Sequence, residues 1–130
     1  MFQTKITEMF GIKYPIVVGT MMYLARAEMV AAASNAGALG VLGSAMFQSK
    51  EEFRQEIKKL KGMTDNPFAV NLNLFPMRTP VDNREFMEVI YEEGIRIVET
   101  SGHKGPEALA RDLKVHGITL VHKCVGYGTP

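Results

Sequence analysis

The sequence predicts an α/β fold in which five parallel strands alternate with four helices, the N-terminal part of a (β/α) barrel. Three observations carry this reading. Short, uniformly apolar runs recur about every 25 residues, segments of helical period lie between them, and a glycine follows each helical segment. The runs occupy residues 16–19, 39–42, 68–72, 95–100 and 118–124. Each is too short for a helix and too apolar for a strand with one wet face, so all five read as buried strands.

Taken in order, the first strand runs into GTMMYLARAE, and the helical segment that follows stops at Gly37 before the second strand. The next helix is signalled by Ser49 with Glu52, which have capping-box spacing, and by Phe53, Ile57 and Leu60 at i, i+4 and i+7; Gly62 reads as its stop. After the third strand, Asp82 with Glu85 repeats the cap, Phe86, Val89 and Ile90 form the apolar face, and Gly94 ends the segment. Pro106 suits the first turn of the last helix, Leu109 and Leu113 share its face, and Gly117 precedes the fifth strand. Strands alternating with helices at this spacing pair in parallel through right-handed crossovers.

An open doubly wound sheet would carry a G-x-G-x-x-G turn between its first strand and first helix. GALGVLG at 37–43 instead precedes and includes the second strand, where glycines serve a helix stop and a crowded strand. A closed TIM (β/α)8 barrel is therefore favoured. Such a barrel needs roughly 200 residues or more, so the 130 residues predict an incomplete one, residues 1–130 forming the N-terminal portion of a single domain.

The formal net charge of +1, without a run of like charges, offers no basic face for nucleic acid or an anionic membrane. A small-molecule partner is expected. The lone cysteine, Cys124, fits a reducing compartment and hence the cytoplasm, and no apolar run approaches the roughly 20 residues that span a bilayer.

Barrel chemistry gathers at the C-terminal ends of the strands. Those ends read Val18-Gly19-Thr20-Met21-Met22, Gly43-Ser44, Asn71-Leu72-Asn73, Glu99-Thr100-Ser101-Gly102 and His122-Lys123-Cys124. Small residues at the first strand allow close approach of a flat ligand, an amide at the third can donate and accept, and a lysine at the fifth can hold negative charge. The combination suits a flavin, whose N1–C2=O region gains negative charge on reduction.

Four stretches carry a family resemblance. TKITEMFGIKYPIV at 4–17, followed by Gly19-Thr20-Met21, resembles the opening of the nitronate monooxygenase family, formerly the 2-nitropropane dioxygenases, and of the related FMN-dependent enoyl-ACP reductase. AAASNAGALG at 31–40 is similar to the family's small-residue helix and Ala-Gly-x-Leu-Gly turn, FAVNL at 68–72 to its third strand, and VHK at 121–123 to its fifth. The resemblance implies an FMN flavoprotein in which Gly19, Thr20 and Met21 contact the isoalloxazine, Asn71 hydrogen-bonds it, and Lys123 lies near its pyrimidine edge. The first strand departs from the commoner form, which has Gln where Val18 stands and often Pro or Gly at Thr20. The family's catalytic histidine and phosphate loops follow its fifth strand, so no catalytic residue is assigned within residues 1–130.

Plainer readings stand beside these. Lys123 reads equally as a strand-end lysine reaching water, Asn71 as a partner of neighbouring backbone with Asn73 as the competing amide, and Met21 and Met22 as packing residues. His103 reads as an exposed loop histidine, His116 as a residue of a last helical turn, and His122 as a strand residue facing the helices. The histidines and Cys124 lack metal-ligand spacing, so no metal is expected, and Cys124 reads as a small buried apolar residue. Three functions follow: an oxidoreductase acting on alkyl nitronates with FMN and O2, an enoyl-ACP reductase on the same scaffold, or a non-catalytic half-barrel that binds or assembles. The open half-barrel also predicts self-association or a missing C-terminal half.

Overall fold

In the computed structural model, residues 2–75, 82–103 and 105–124 are described. The closing GYGTP lies outside them. The elements are α1 (Lys5–Phe10), β1 (Val17–Val18), α2 (Ala27–Asn35), β2 (Leu39–Gly43), α3 (Lys50–Met63), β3 (Phe68–Asn73), α4 (Asn83–Glu92), β4 (Ile97–Ser101), α5 (Glu107–Val115) and β5 (Thr119–Lys123). The five strands are parallel and lie in the order β1-β2-β3-β4-β5, each bonded to the next in sequence. Sequential order without reversal is what a barrel needs and what a doubly wound sheet lacks. Among the described residues, no helix is long and apolar enough to cross a membrane.

Four helices connect the strands as predicted, and α1 precedes them. This helix was not anticipated, because its six residues mix charge and apolar character. It starts on a capping box in which Thr7 occupies the place usually taken by Glu or Gln: the Thr7 amide donates to Thr4 Oγ1 at 3.1 Å and the Thr4 amide to Thr7 Oγ1 at 2.8 Å. Ser49 caps α3 by accepting from the Glu52 amide at 3.2 Å, while Glu52 reaches back one residue further, to the Gln48 amide at 3.1 Å. Asp82 accepts from the Arg84 amide at 2.9 Å, the opening of α4. Gly37, Gly94 and Gly117 follow their helices with positive φ, whereas Gly62 lies inside α3, which runs one residue further to Met63. The first strand is shorter than predicted, two residues, and pairs with β2 alone.

Alternation divides each strand between two faces. Leu42, Val70, Leu72 and Val98 face the helices, where they join Val30, Phe53, Ile57, Leu60, Phe86, Ile90 and Leu113 in the main core. The opposite face is the inner face of the barrel. At its N-terminal end Leu39, Val41, Ala69 and Ile97 cluster with Phe10 and Ile12, so α1 and the turn after it plug that end. Parallel register then sets two polar rows above the apolar ones: Gly43, Asn71, Glu99 and Val121 in one, and Asn73, Ser101 and Lys123 in the other.

Gly40 lets β2 lie against α2. A Cβ there would stand 2.5 Å from the Val30 carbonyl oxygen and 2.9 Å from Val30 Cγ1. Backbone cannot rotate away, so Gly40→Ala is expected to push α2 off the sheet and cost about 1–3 kcal/mol of stability, the range for overpacking. Urea denaturation with an unchanged slope and a lowered midpoint would be the signature; an unchanged midpoint would show that the contact yields freely.

Candidate functional site

The polar rows end in a cleft of about 190 Å³ at the C-terminal ends of the strands, lined by Thr20, Met22, Gly43, Ala45, Met46, Asn71, Asn73, Ser101 and Lys123. A larger cleft of about 470 Å³ opens at the opposite end beside α1 and includes Phe10, Lys61 and Arg96. In barrels that end serves stability rather than chemistry, and Lys61 is already paired with Glu93.

Three of the five residues expected to hold a cofactor meet in the smaller cleft: Thr20 after β1, Asn71 on β3 and Lys123 at the end of β5. Gly19 and Met21 flank Thr20 without lining it, and Met21 is exposed. The first strand thus contributes Thr20 and Met22. Their loop is built on the Met21 carbonyl, which accepts from the Leu24 amide at 3.1 Å and the Ala25 amide at 2.8 Å. Tyr23 takes a φ of 65° within it, a left-handed conformation that costs a non-glycine residue roughly 1–2 kcal/mol.

Asn71 is buried and bonds side chains rather than backbone. Its Nδ2 donates to Glu99 Oε1 at 2.9 Å and to Ser101 Oγ at 3.4 Å. Asn73, the competing amide, accepts instead from the Phe75 amide at 3.2 Å and so shapes the turn after β3. Lys123 Nζ lies 3.7 Å from the same Glu99 oxygen, with the lysine side chain 53% exposed and the glutamate 8%. A buried carboxylate needs such partners to offset its lost hydration, and the half-exposed ammonium carries positive charge to the cleft.

Glu99 and Ser101 were not singled out from the sequence. The signal is the alternation of β4, which turns Ile97, Glu99 and Ser101 to the inner face in register with Asn71 and Asn73. The histidines lie elsewhere. His122 Nδ1 is 2.8 Å from Thr100 Oγ1 on the helix-facing side, His116 caps α5 and stacks on Tyr91 at 3.7 Å, and exposed His103 meets the Phe75 ring edge-on at 4.6 Å. Cys124 is exposed rather than buried, because it follows the last residue of β5.

Two features fit a flat polar ligand. Thr20 Oγ1 is buried with no hydrogen-bond partner among the described residues, the condition of a donor or acceptor waiting for a ligand or water. Gly43 gives the wall its shape, since a Cβ there would stand 2.7 Å from Thr20 Cγ2 and 3.2 Å from Met46 Cε. The volume is below the roughly 300–1,000 Å³ of small-molecule pockets, so these residues furnish one wall of a site.

A sequence profile of the nitronate monooxygenase family matches residues 3–123. The (3aS,4S,5R,7aS)-5-hydroxy-7a-methyl-1-oxo-octahydro-1H-indene-4-carboxyl-CoA dehydrogenase of Mycobacterium tuberculosis is 34% identical over 119 residues, 92% of this chain and 32% of that protein. A probable nitronate monooxygenase of Staphylococcus saprophyticus is 44% identical over 69 residues, 53% of this chain and 19% of its own length. Among solved structures, FabK from Thermotoga maritima superposes with a TM-score of 0.84 at 30% identity, covering 94% of this chain and 37% of FabK. The chain therefore spans a third or less of the curated relatives it matches.

Proposed function

Because the chain belongs to the nitronate monooxygenase family, we propose that residues 1–130 are the N-terminal portion of a single FMN-binding domain that oxidises alkyl nitronates, with O2 as the final electron acceptor. The observation that carries this is the meeting of Thr20, Asn71 and Lys123 from the ends of three strands in one cleft, with Thr20 Oγ1 buried and without a hydrogen-bond partner among the described residues. Bound there, FMN would supply reversible two-electron oxidation and reduction at its isoalloxazine ring. In this reading Thr20 and Asn71 would hold the ring's polar edge, Gly43 leaves room for Thr20 and Met46 in the cleft wall, and Lys123 would hold the negative charge that reduction brings. A cytoplasmic location is supported by the lone cysteine.

Asn71→Ala is expected to weaken FMN binding by about 1 kcal/mol, the worth of one hydrogen bond, as read by flavin fluorescence quenching in the complete protein. Equal affinity in variant and parent would assign Asn71 to structure.

A second reading is favoured by the dehydrogenase relative, whose name states a coenzyme A thioester and which matches 92% of this chain, against 53% for the probable nitronate monooxygenase. In this branch, which includes the enoyl-ACP reductase alternative, the same cleft serves an acyl thioester. Anaerobic flavin reduction separates the two. Under the first reading a preformed nitronate reduces the flavin of the complete protein faster than the parent nitroalkane, which must first lose a proton. Reduction by NAD(P)H coupled to an enoyl thioester, or by an acyl-CoA, without response to nitronates, would transfer the assignment. Colourless protein that takes up no added FMN would leave a binding or assembly module.

A further inference from the structure

Glu99 sits between Asn71 and Lys123, two of the cleft residues that have a part in the reading above, and that reading gives Glu99 none. Its Oε1 takes the Asn71 amide at 2.9 Å and lies 3.7 Å from Lys123 Nζ, while the carboxylate itself is buried under the cleft floor. A carboxylate only accepts hydrogen bonds. Turning the Asn71 amide over would set Oδ1 against Oε1, acceptor on acceptor, so Glu99 decides which end of the amide faces inward. The two Nδ2 hydrogens are then spent on Glu99 and Ser101, and Oδ1 takes no bond among the described residues.

We propose that Glu99 is the positioning residue of this cleft: it presents Asn71 to the occupant as a pure acceptor, selecting a flat ligand with a ring N–H, and offsets part of the Lys123 charge. The ligand half rests on the flavin reading, since oxidised FMN has a single ring N–H, at N3. The positioning half concerns the chain alone. Glu99→Gln keeps an acceptor for Asn71 but removes the charge, whereas Glu99→Leu removes both, so the two roles separate.

The test uses the complete protein. The parent is expected to bind FMN at least tenfold more tightly than 3-methyl-FMN, which lacks the N–H. Glu99→Gln should keep that ratio and shift the flavin midpoint potential upward, because the Lys123 charge is no longer offset; Glu99→Leu should bring the ratio close to one. Equal binding of both flavins by the parent, or an unchanged potential in Glu99→Gln, overturns the corresponding half. If the parent binds no flavin, the flavin reading fails by itself. The Asn71 side-chain amide signals of flavin-free protein, assigned by their loss in Asn71→Asp, then decide the positioning role. They should remain in place in Glu99→Gln and move in Glu99→Leu, and signals that stay put in both overturn it. Should Glu99→Leu fail to fold, Ser101→Ala with Glu99→Gln repeats the amide comparison: signals held in place without Ser101 support Glu99 as the anchor, and signals that move overturn it.

Discussion

Lys123→Met in the complete, flavin-loaded protein is expected to lower the flavin midpoint potential and slow its reduction about a hundredfold. Strand alternation puts Lys123 on the inner face at the end of β5, in the row of Asn73 and Ser101. Its ammonium is tied to Glu99 yet half exposed to the cleft. A unit charge roughly 6 Å from developing negative charge is worth about 3 kcal/mol at the effective dielectric of a partly wet site, and each 1.4 kcal/mol is about tenfold in rate. Methionine keeps the length of the side chain and removes the charge, leaving the Glu99 carboxylate unbalanced beneath the site. Lys123→Arg should recover most of the potential. Redox titration and stopped-flow reduction read both quantities, and a Met variant with the parent's potential and rate would show that Lys123 merely reaches water.

The 130-residue chain produced alone is expected to associate and to show no turnover of nitronates with FMN added. The burial of the strands runs from complete in β2 and β4 to partial in β5 and least in β1, where Val17 is 44% exposed beside Ile16 at 55%. Five strands cannot close a barrel of eight, so among the described residues both edge strands have a neighbour on one side alone, and edges of this kind pair with other chains. Loss of activity here is total, since the cleft is one wall of a site. Light scattering settles the matter: a stable monomer of 14.4 kDa with flavin-dependent turnover would contradict both parts.

Most of the fold was legible because its signals are local. Ser49 and Asp82 announce helices within a few residues, and Gly37, Gly94 and Gly117 end them where the backbone turns left-handed. Helix α1 escaped because a threonine stands in for the usual Glu or Gln of its cap, and because six residues give too short a window for a period to show. At the site, small residues, an amide and a lysine could be read at the strand ends, and the choice of Thr20 and Asn71 among them came from the family resemblance. Glu99 could not be assigned a task, because its partnership with Asn71 depends on the register between β3 and β4, which is fixed by packing over the whole sheet rather than by any nearby residue. The choice between Asn71 and Asn73 was undecidable for a similar reason. Both face inward, and only the folded chain shows that Asn73 is engaged by the turn after β3 while Asn71 pairs with Glu99 and Ser101.

The plug formed by Phe10 and Ile12 has a consequence for the order of events on the ribosome. These two residues are made early, yet the cluster they complete includes Leu39, Val41, Ala69 and finally Ile97. At roughly 5–20 residues per second of synthesis, the last of these follows the first by on the order of ten seconds. Helix α1 is too short to persist alone in water for that interval. The α1 segment thus leaves the tunnel before the strands it packs against and is among the last to settle, and until β4 arrives its Phe10 and Ile12 remain open to holdase chaperones, which bind exposed apolar side chains.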